Sequence, residues 1–214
     1  MRNGITIAFT VLMIGLAGTA QAAIITPTLV TATSSHSSYP IGATIDGSGL
    51  SGGGTSGDIL SELHATSAAN NCWLGDKDDN QVVDFTLAGA ADVAAVHFWQ
   101  YDRNSNGSWD RRTLSSFDIA FSTDNGTTYS TPIAITGIAG DDIAGSGSAI
   151  IPVQTFTFAQ LTGVTNIQMT NLVNHGDNDW VAFSEIRFDT VPEPGTMALL
   201  ALGGLAMIRR RRRG

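Results

Sequence analysis

Charge is scarce in this chain. Asp, Glu, Lys and Arg make up 14% of its 214 residues, against about a quarter in ordinary soluble domains. Cations are scarcer still, and five of the eleven stand together at Arg209–Arg213. Between residues 23 and 191 the only basic residues are Lys77, Arg103, Arg111, Arg112 and Arg187, against 18 acidic ones, a net charge of −13. Such a surface repels phosphate backbones, which excludes nucleic acid as a partner, while it suits divalent cations. Cysteine occurs once, at Cys72, so the chain can form neither an internal disulfide nor a CxxC metal site. Next to Trp73, Cys72 reads as a small buried residue. Catalytic signatures are missing too. The four histidines are far apart, and no HExxH, GxSxG or P-loop occurs. The neighbouring carboxylates Asp78-Asp79 and Asp141-Asp142 sit in acidic turns, where solvation or cation binding fits better than acid–base work. The chain reads as a non-enzyme.

Long hydrophobic runs are absent from the middle and confined to the two ends. Arg2 gives the N-terminus a positive start, Ile5–Ala17 is apolar apart from Thr6 and Thr10, and Thr19–Ala22 ends in small residues. That order predicts a secretory signal peptide over 1–22, with Ala20 and Ala22 at the cleavage site; an uncleaved anchor is the alternative. Met197–Ile208 is a second apolar run, which as a helix spans about 18 Å, short of the roughly 30 Å hydrocarbon core. Snorkelling arginines extend its reach. Arg209, Arg210 and Arg211, with the two that follow, would stay cytoplasmic and leave everything before them outside. The expectation is a short C-terminal transmembrane helix, the chain's one contact with a membrane.

Helical patterns are also missing from the passenger, residues 23–190, and period two replaces them. Val83, Phe85 and Leu87 alternate with Asp84 and Thr86, and Phe117, Ile119 and Phe121 with Asp118, Ala120 and Ser122. Val96–Tyr101 alternates with bulky residues on both sides, as in a strand covered on both faces. Further rows lie at Ile24–Ala32, Ile133–Ile135, Thr155–Phe158, Ile167–Asn171 and Val181–Phe188, the last placing Glu185 in the row of Val181 and Phe183. Turn signals such as Thr123-Asp124-Asn125-Gly126 separate them. About eight strands result, which predicts an all-β fold, a single antiparallel jelly-roll β-sandwich. Ser48–Gly57 (SGLSGGGTSG) reads as the most flexible stretch and as a surface loop.

Two resemblances add to this. Val191-Pro192-Glu193-Pro194, the short apolar helix and the arginine cluster resemble the PEP-CTERM sorting signal of Gram-negative bacteria. This implies domains of 1–22, 23–190 and 191–214, with Pro192, Glu193 and Pro194 as the element an exosortase recognises after export by the Sec machinery. It also implies a transiently anchored protein bound for the cell surface or extracellular matrix. The two prolines keep the segment around Glu193 extended and accessible. The passenger resembles the galactose-binding-like sandwiches, including discoidin (coagulation factor 5/8 C-type) domains. The marks are Ile45-Asp46-Gly47, Asn71-Cys72-Trp73-Leu74, Val82–Phe85, His97–Arg103, Phe117–Ser122 and Val181–Ile186. This second resemblance implies ligand-binding loops at one end of the sandwich and a calcium ion held by Asp46 and Glu185, with Ser48 and backbone carbonyls helping.

A second calcium loop is legible from Asp102, Asn104, Asn106 and Asp110, with Gly107 at the turn, although Thr113 stands where a bidentate Glu is usual. An Asn-Gly hairpin explains the same letters. For sugar, the candidates are Trp73, Trp109, Arg111, Arg112, His175, Asp177 and Trp180, since pyranose faces stack on aromatic rings and hydroxyls need planar donors and acceptors. Capping of the core by the tryptophans and pairing of the arginines with carboxylates is the plainer reading. The expected function is a surface-sorted, non-catalytic module binding extracellular carbohydrate. The alternative is a structural matrix or biofilm protein without a small ligand.

Overall fold

Alternation does produce strands, but it divides them differently. The computed structural model describes residues 23–65, 67–77, 80–101, 110–140 and 152–190, all within the unit Ala22–Val191. The cleavage residues Ala20 and Ala22, the tail with Pro192, Glu193, Pro194 and the arginines, and the loop with Asp102, Asn104, Asn106 and Trp109 lie outside the described residues. The strands are β1 (Ile24–Ile25), β2 (Leu29–Ala32), β3 (Trp73–Asp76), β4 (Val83–Gln100), β5 (Leu114–Ser122), β6 (Ile133–Thr136), β7 (Gln154–Asn174) and β8 (Trp180–Asp189). Helical structure among the described residues includes short 3-10 turns at Ile41–Thr44, Ile59–Ser61 and Asp110–Arg112. None of it is long and apolar enough to cross a membrane; the expected C-terminal helix lies outside the described residues.

All pairings between the strands are antiparallel, and one path of hydrogen bonds runs β1-β8-β4-β7-β5-β6, with β2 on β4 and β3 on β8. The two long strands β4 and β7 turn this one sheet into two layers. Their ladder shifts register between Thr86 and Ala91 and again before Ala95, and such bulges bend a strand out of one layer into the next. Rings from the two halves then meet. Phe85 packs edge-on against Phe188 at 5.6 Å, and Phe98 meets Phe117 at a tilt at 5.7 Å. Val83, Phe85, Val96, Phe98, Phe117, Ile119, Ile167, Met169, Phe183 and Phe188 are at most 1% exposed in this core. The hairpin turn after β5 uses Asn125 and Gly126 at φ 60° and 80°, the left-handed region an Asn-Gly pair tolerates.

One sequence expectation needs correction. Glu185 does not continue the inward row of Val181 and Phe183. The β4–β8 ladder slips between Trp99 and Gln100, so Ile186 and Phe188 take over the core and Glu185 and Arg187 turn to the opposite face. That face is covered as well, by the segment 39–72. Leu50 and Ile59 cluster with Trp99, and Tyr39, Cys72 and Leu74 with Tyr101 and Ala182. Cys72 is fully buried, and its thiol donates to the Ala68 carbonyl at 3.4 Å.

Candidate functional site

The ligand candidates converge where β8 begins, and hydrogen bonds hold them there. Asp76 pairs with Trp180 at the end of the β3–β8 ladder, and just beyond it the Lys77 N–H donates to the Asp179 carbonyl at 2.9 Å. Asp177 organises the loop. Its Oδ1 accepts the N–H groups of Asp179 and Trp180, both at 2.9 Å, and its Oδ2 accepts Arg112 Nε at 3.3 Å. Burial works to raise this carboxyl, but those N–H donors and the Arg112 charge hold it below its ordinary range. Lys77 Nζ donates to the Asp177 carbonyl at 2.6 Å. Asn174, at the end of β7, donates to the carbonyls of Asp177 and Trp180. The 110–113 turn is tied in by Asp177 N–H to the Arg111 carbonyl and His175 N–H to the Thr113 carbonyl.

Aromatic surface lies beside this charged fork. The half-buried Trp180 packs on the Tyr39–Cys72–Leu74 cluster and meets the His36 ring edge-on at 5.6 Å. His36 in turn lies 5.4 Å from Tyr39. Arg111 is exposed, and His175, also exposed, places Nε2 3.2 Å from the Ile138 carbonyl. The structure therefore brings Arg111, Arg112, His175, Asp177 and Trp180 to one end. Asp110 joins them through its backbone. Trp73 leaves the set, because it is fully buried, donates Nε1 to Ser34 O and Ser35 Oγ at 3.1 and 3.0 Å and packs on Phe183. Sequence reasoning missed His36 and Lys77. The only local signal was a turn-rich SSHSSYP stretch at 34–40, and nothing in it points 144 residues ahead to Trp180.

The proposed calcium residues lie elsewhere, under the loop after the Ile41–Thr44 turn. Glu185 is fully buried, and Arg187 Nη1 sits on its Oε1, the Arg187 side chain itself being 2% exposed. Burial pushes the Glu185 carboxyl up, the Arg187 charge and hydrogen bond pull it back, and the Asp46 charge adds to the rise. Asp46 is exposed, and its Oδ1 accepts the Ser48 N–H at 2.7 Å. Ser48 Oγ donates to the Ala43 carbonyl at 3.4 Å, and the Ser48 carbonyl faces His64 Nε2 at 3.1 Å. These residues do not fit the expected calcium. Calcium needs six to eight hard oxygens, whereas here a guanidinium already stands on the central carboxylate, and Asp46 Oδ1 and the Ser48 carbonyl are engaged within the loop. Among the described residues no group of three or more His, Cys, Asp or Glu could hold a metal.

With this geometry in hand, known proteins sharpen the reading of both parts. The PEP-CTERM protein-sorting motif matches residues 190–213. The C-terminus carries a PEP-CTERM sorting signal. That motif implies export, surface sorting in a Gram-negative bacterium and processing by an exosortase. Curated proteins give no match in sequence. Solved structures do match in fold. A truncated AlyQ with CBM32 and alginate lyase domains superposes with a TM-score of 0.51 at 18% identity, over 82% of this chain and 35% of that one. A mutant lectin binding domain of Lectinolysin complexed with Lewis b gives 0.50 at 12% identity, over 76% and 92%. The CBM32 of AlyQ in complex with 4,5-unsaturated mannuronic acid gives 0.47 at 20% identity, over 78% and 97%. The passenger has the antiparallel β-sandwich of CBM32 and discoidin-like modules.

Proposed function

We propose that the passenger is a non-catalytic, surface-sorted module that binds extracellular carbohydrate through the loops at the start of β8. The observation that carries this reading is the half-buried Trp180, edge-on to His36 at 5.6 Å, beside the Arg112–Asp177 fork and Lys77. An indole offers the apolar face of a pyranose a stacking surface, and a guanidinium–carboxylate pair offers hydroxyls planar donors and acceptors at fixed positions. Pre-organisation favours binding, because the Asp177 hydrogen bonds fix the loop before any ligand arrives. The lectin binding domain of Lectinolysin, which shares the fold, is complexed with Lewis b, and that precedent supports a sugar as the ligand class. His175 belongs to the same proposed mouth. The enclosing biology follows from the tail: exosortase processing delivers the module to the cell surface or matrix.

The test is a glycan array probed with the purified chain, followed by titration of any hit against Trp180→Ala. Saturable binding that falls at least tenfold in Trp180→Ala, with the melting temperature nearly kept, is the expected result. No saturable binding from a cooperatively melting sample would replace the reading with a structural matrix role.

A further inference from the structure

We infer that Arg187 is the built-in cation of this sandwich: clamped on Glu185 beneath Gly47 and Gly54, it holds the loop of residues 46–54 on the β4–β8 face and makes the fold independent of calcium. The inference does not depend on the glycan reading. It starts from where the two side chains are. Both turn away from the core because of the slip between Trp99 and Gln100, and both are at most 1% exposed. A carboxylate buried to that degree requires a positive partner, and Arg187 supplies one from two residues along the same strand.

The loop above fits the guanidinium closely. A Cβ on Gly54 would come within 3.3 Å of Arg187 Nη2 and 3.0 Å of Gly47 Cα, and a Cβ on Gly47 within 2.5 Å of the Gly53 carbonyl. Gly47, Gly53 and Gly54 all have positive φ, at 77°, 68° and 70°, so the glycines let the backbone lie directly on the charge. Arg187 Nη1 also donates to the Ile186 carbonyl at 2.7 Å. Two buried atoms of the pair lack partners, Glu185 Oε2 and Arg187 Nε. One is an acceptor and the other a donor, and the contact between the two side chains runs through Arg187 Nη1 and Glu185 Oε1. No second positive charge opposes Arg187 from β4. His97 lies directly across in register, but it engages Asp189 and Thr155, and burial keeps it neutral by lowering its pKa. The Asp46 charge also reaches Glu185 and adds to the rise of its carboxyl.

Two measurements on the full-length chain in mild detergent decide the matter. Thermal melts in millimolar calcium and in EDTA should coincide within about a degree, and calorimetric titration of the metal-free protein should show no stoichiometric calcium site. A loss of several degrees in EDTA, or a one-to-one calcium isotherm that Glu185→Gln abolishes, would overturn the inference. In the second arm, Arg187→Met alone leaves a bare buried carboxylate and should lower the melting temperature by about 10 °C. The double variant Glu185→Gln/Arg187→Met removes both charges and should recover much of that loss. If Arg187→Met does not fold, the double variant still decides: it should fold and melt without any response to calcium. Additive losses in the two single variants and the double would mean that the two side chains do not act as a clasp, and the inference would fail.

Discussion

Strands β4 and β8 are buried on both faces, and the two faces are built from different material. The inner one presents Val96, Phe98, Phe183, Ile186 and Phe188, each with no exposure. The outer one presents His97, Trp99, Glu185 and Arg187, none more than 2% exposed, and every one of them has a hydrogen bond. Burial is thus equal while the forces differ. Apolar burial is non-directional and roughly proportional to area, so the inner face loses stability in proportion to what is cut away. The outer face is directional: removing one partner leaves the other buried and unpaired, which costs more than the bond itself contributed. The comparison predicts that inner-face truncations act on the whole fold, whereas outer-face substitutions act on the 39–72 cover.

The largest effect should come from the inner face. Phe98 packs between Phe117 and Phe183 at ring distances of 5.7 and 5.4 Å, so Phe98→Ala opens a cavity at the junction of the two layers. A loss of about 3–5 kcal/mol is expected, read as a shifted midpoint in urea with an unchanged slope. Hydrogen exchange should speed up in both layers together. Acceleration confined to the cover would contradict the idea that this face is shared by the whole fold.

Next comes the clasp on the glycine-rich loop. Glu62 is 4% exposed, and its carboxylate accepts Gly52 N–H at 2.8 Å, Gly54 N–H at 3.2 Å, Ser56 N–H at 3.3 Å and the Ser56 hydroxyl. Its own carbonyl accepts Trp99 Nε1 at 3.0 Å. Glu62→Gln keeps the volume but turns one acceptor oxygen into a donor facing N–H groups. The expected cost is about 1–3 kcal/mol, with new protease cleavage inside 51–57 and unchanged exchange in the inner core. Uniform destabilisation without loop cleavage would show that the cover and core do not separate.

How much of this was legible in the sequence depends on the length scale. Period two found the strand residues and the all-β class, and the bulky run Val96–Tyr101 correctly indicated a strand covered twice. The division into strands was less legible. The Val83–Leu87 and Val96–Tyr101 rows are one bent strand, β4, and the rows around Phe156 and Ile167 are one strand, β7, because bulges carry a strand through a corner without a turn signal. The same kind of slip defeated the face assignment of Glu185, since alternation cannot register one extra residue opposite Gln100. SGLSGGGTSG is a surface loop, as its composition indicates, yet Glu62 holds it, and no local pattern announces a carboxylate that captures backbone N–H groups. At the mouth, the sequence supplied Arg112, Asp177 and Trp180 from loop composition. It could not supply His36, which reaches Trp180 only through the β3–β8 pairing.

Acid should separate the two faces further, because only the outer one contains groups that titrate near neutrality. His64 and His97 have an ordinary pKa of 6.5, and burial, the first cause for each, lowers both against the pull of their hydrogen-bond partners. A base whose pKa falls on folding binds fewer protons in the folded state. Its contribution is complete above pH 6.5 and is lost as pH falls through that value toward the folded pKa. Melts of the Glu185→Gln/Arg187→Met double variant, which lacks the oppositely acting raised Glu185 carboxyl, should therefore show falling stability below about pH 6.5 between about pH 7.5 and 5. Exchange protection should weaken in 39–72 before it weakens at Phe98 or Phe117. A flat profile across that window would mean that neither imidazole is held neutral by its burial.

The smallest effect on stability should be the most informative about function. Arg111 is exposed, unlike Arg112, whose Nε is fixed on Asp177. Its side chain contributes little to the fold, and Arg111→Ala should change stability by less than about 0.5 kcal/mol. Arg112→Ala, by contrast, leaves the Asp177 carboxylate without its cation and loosens the loop that positions Trp180. If the mouth at the start of β8 binds sugar, Arg111→Ala weakens binding with an unchanged melt, whereas Arg112→Ala lowers both. The contrast separates a residue that touches ligand from one that positions the residues that do. Equal binding by Arg111→Ala and the parent would confine the ligand to the Trp180–His36 side of the loop, away from the 110–112 turn.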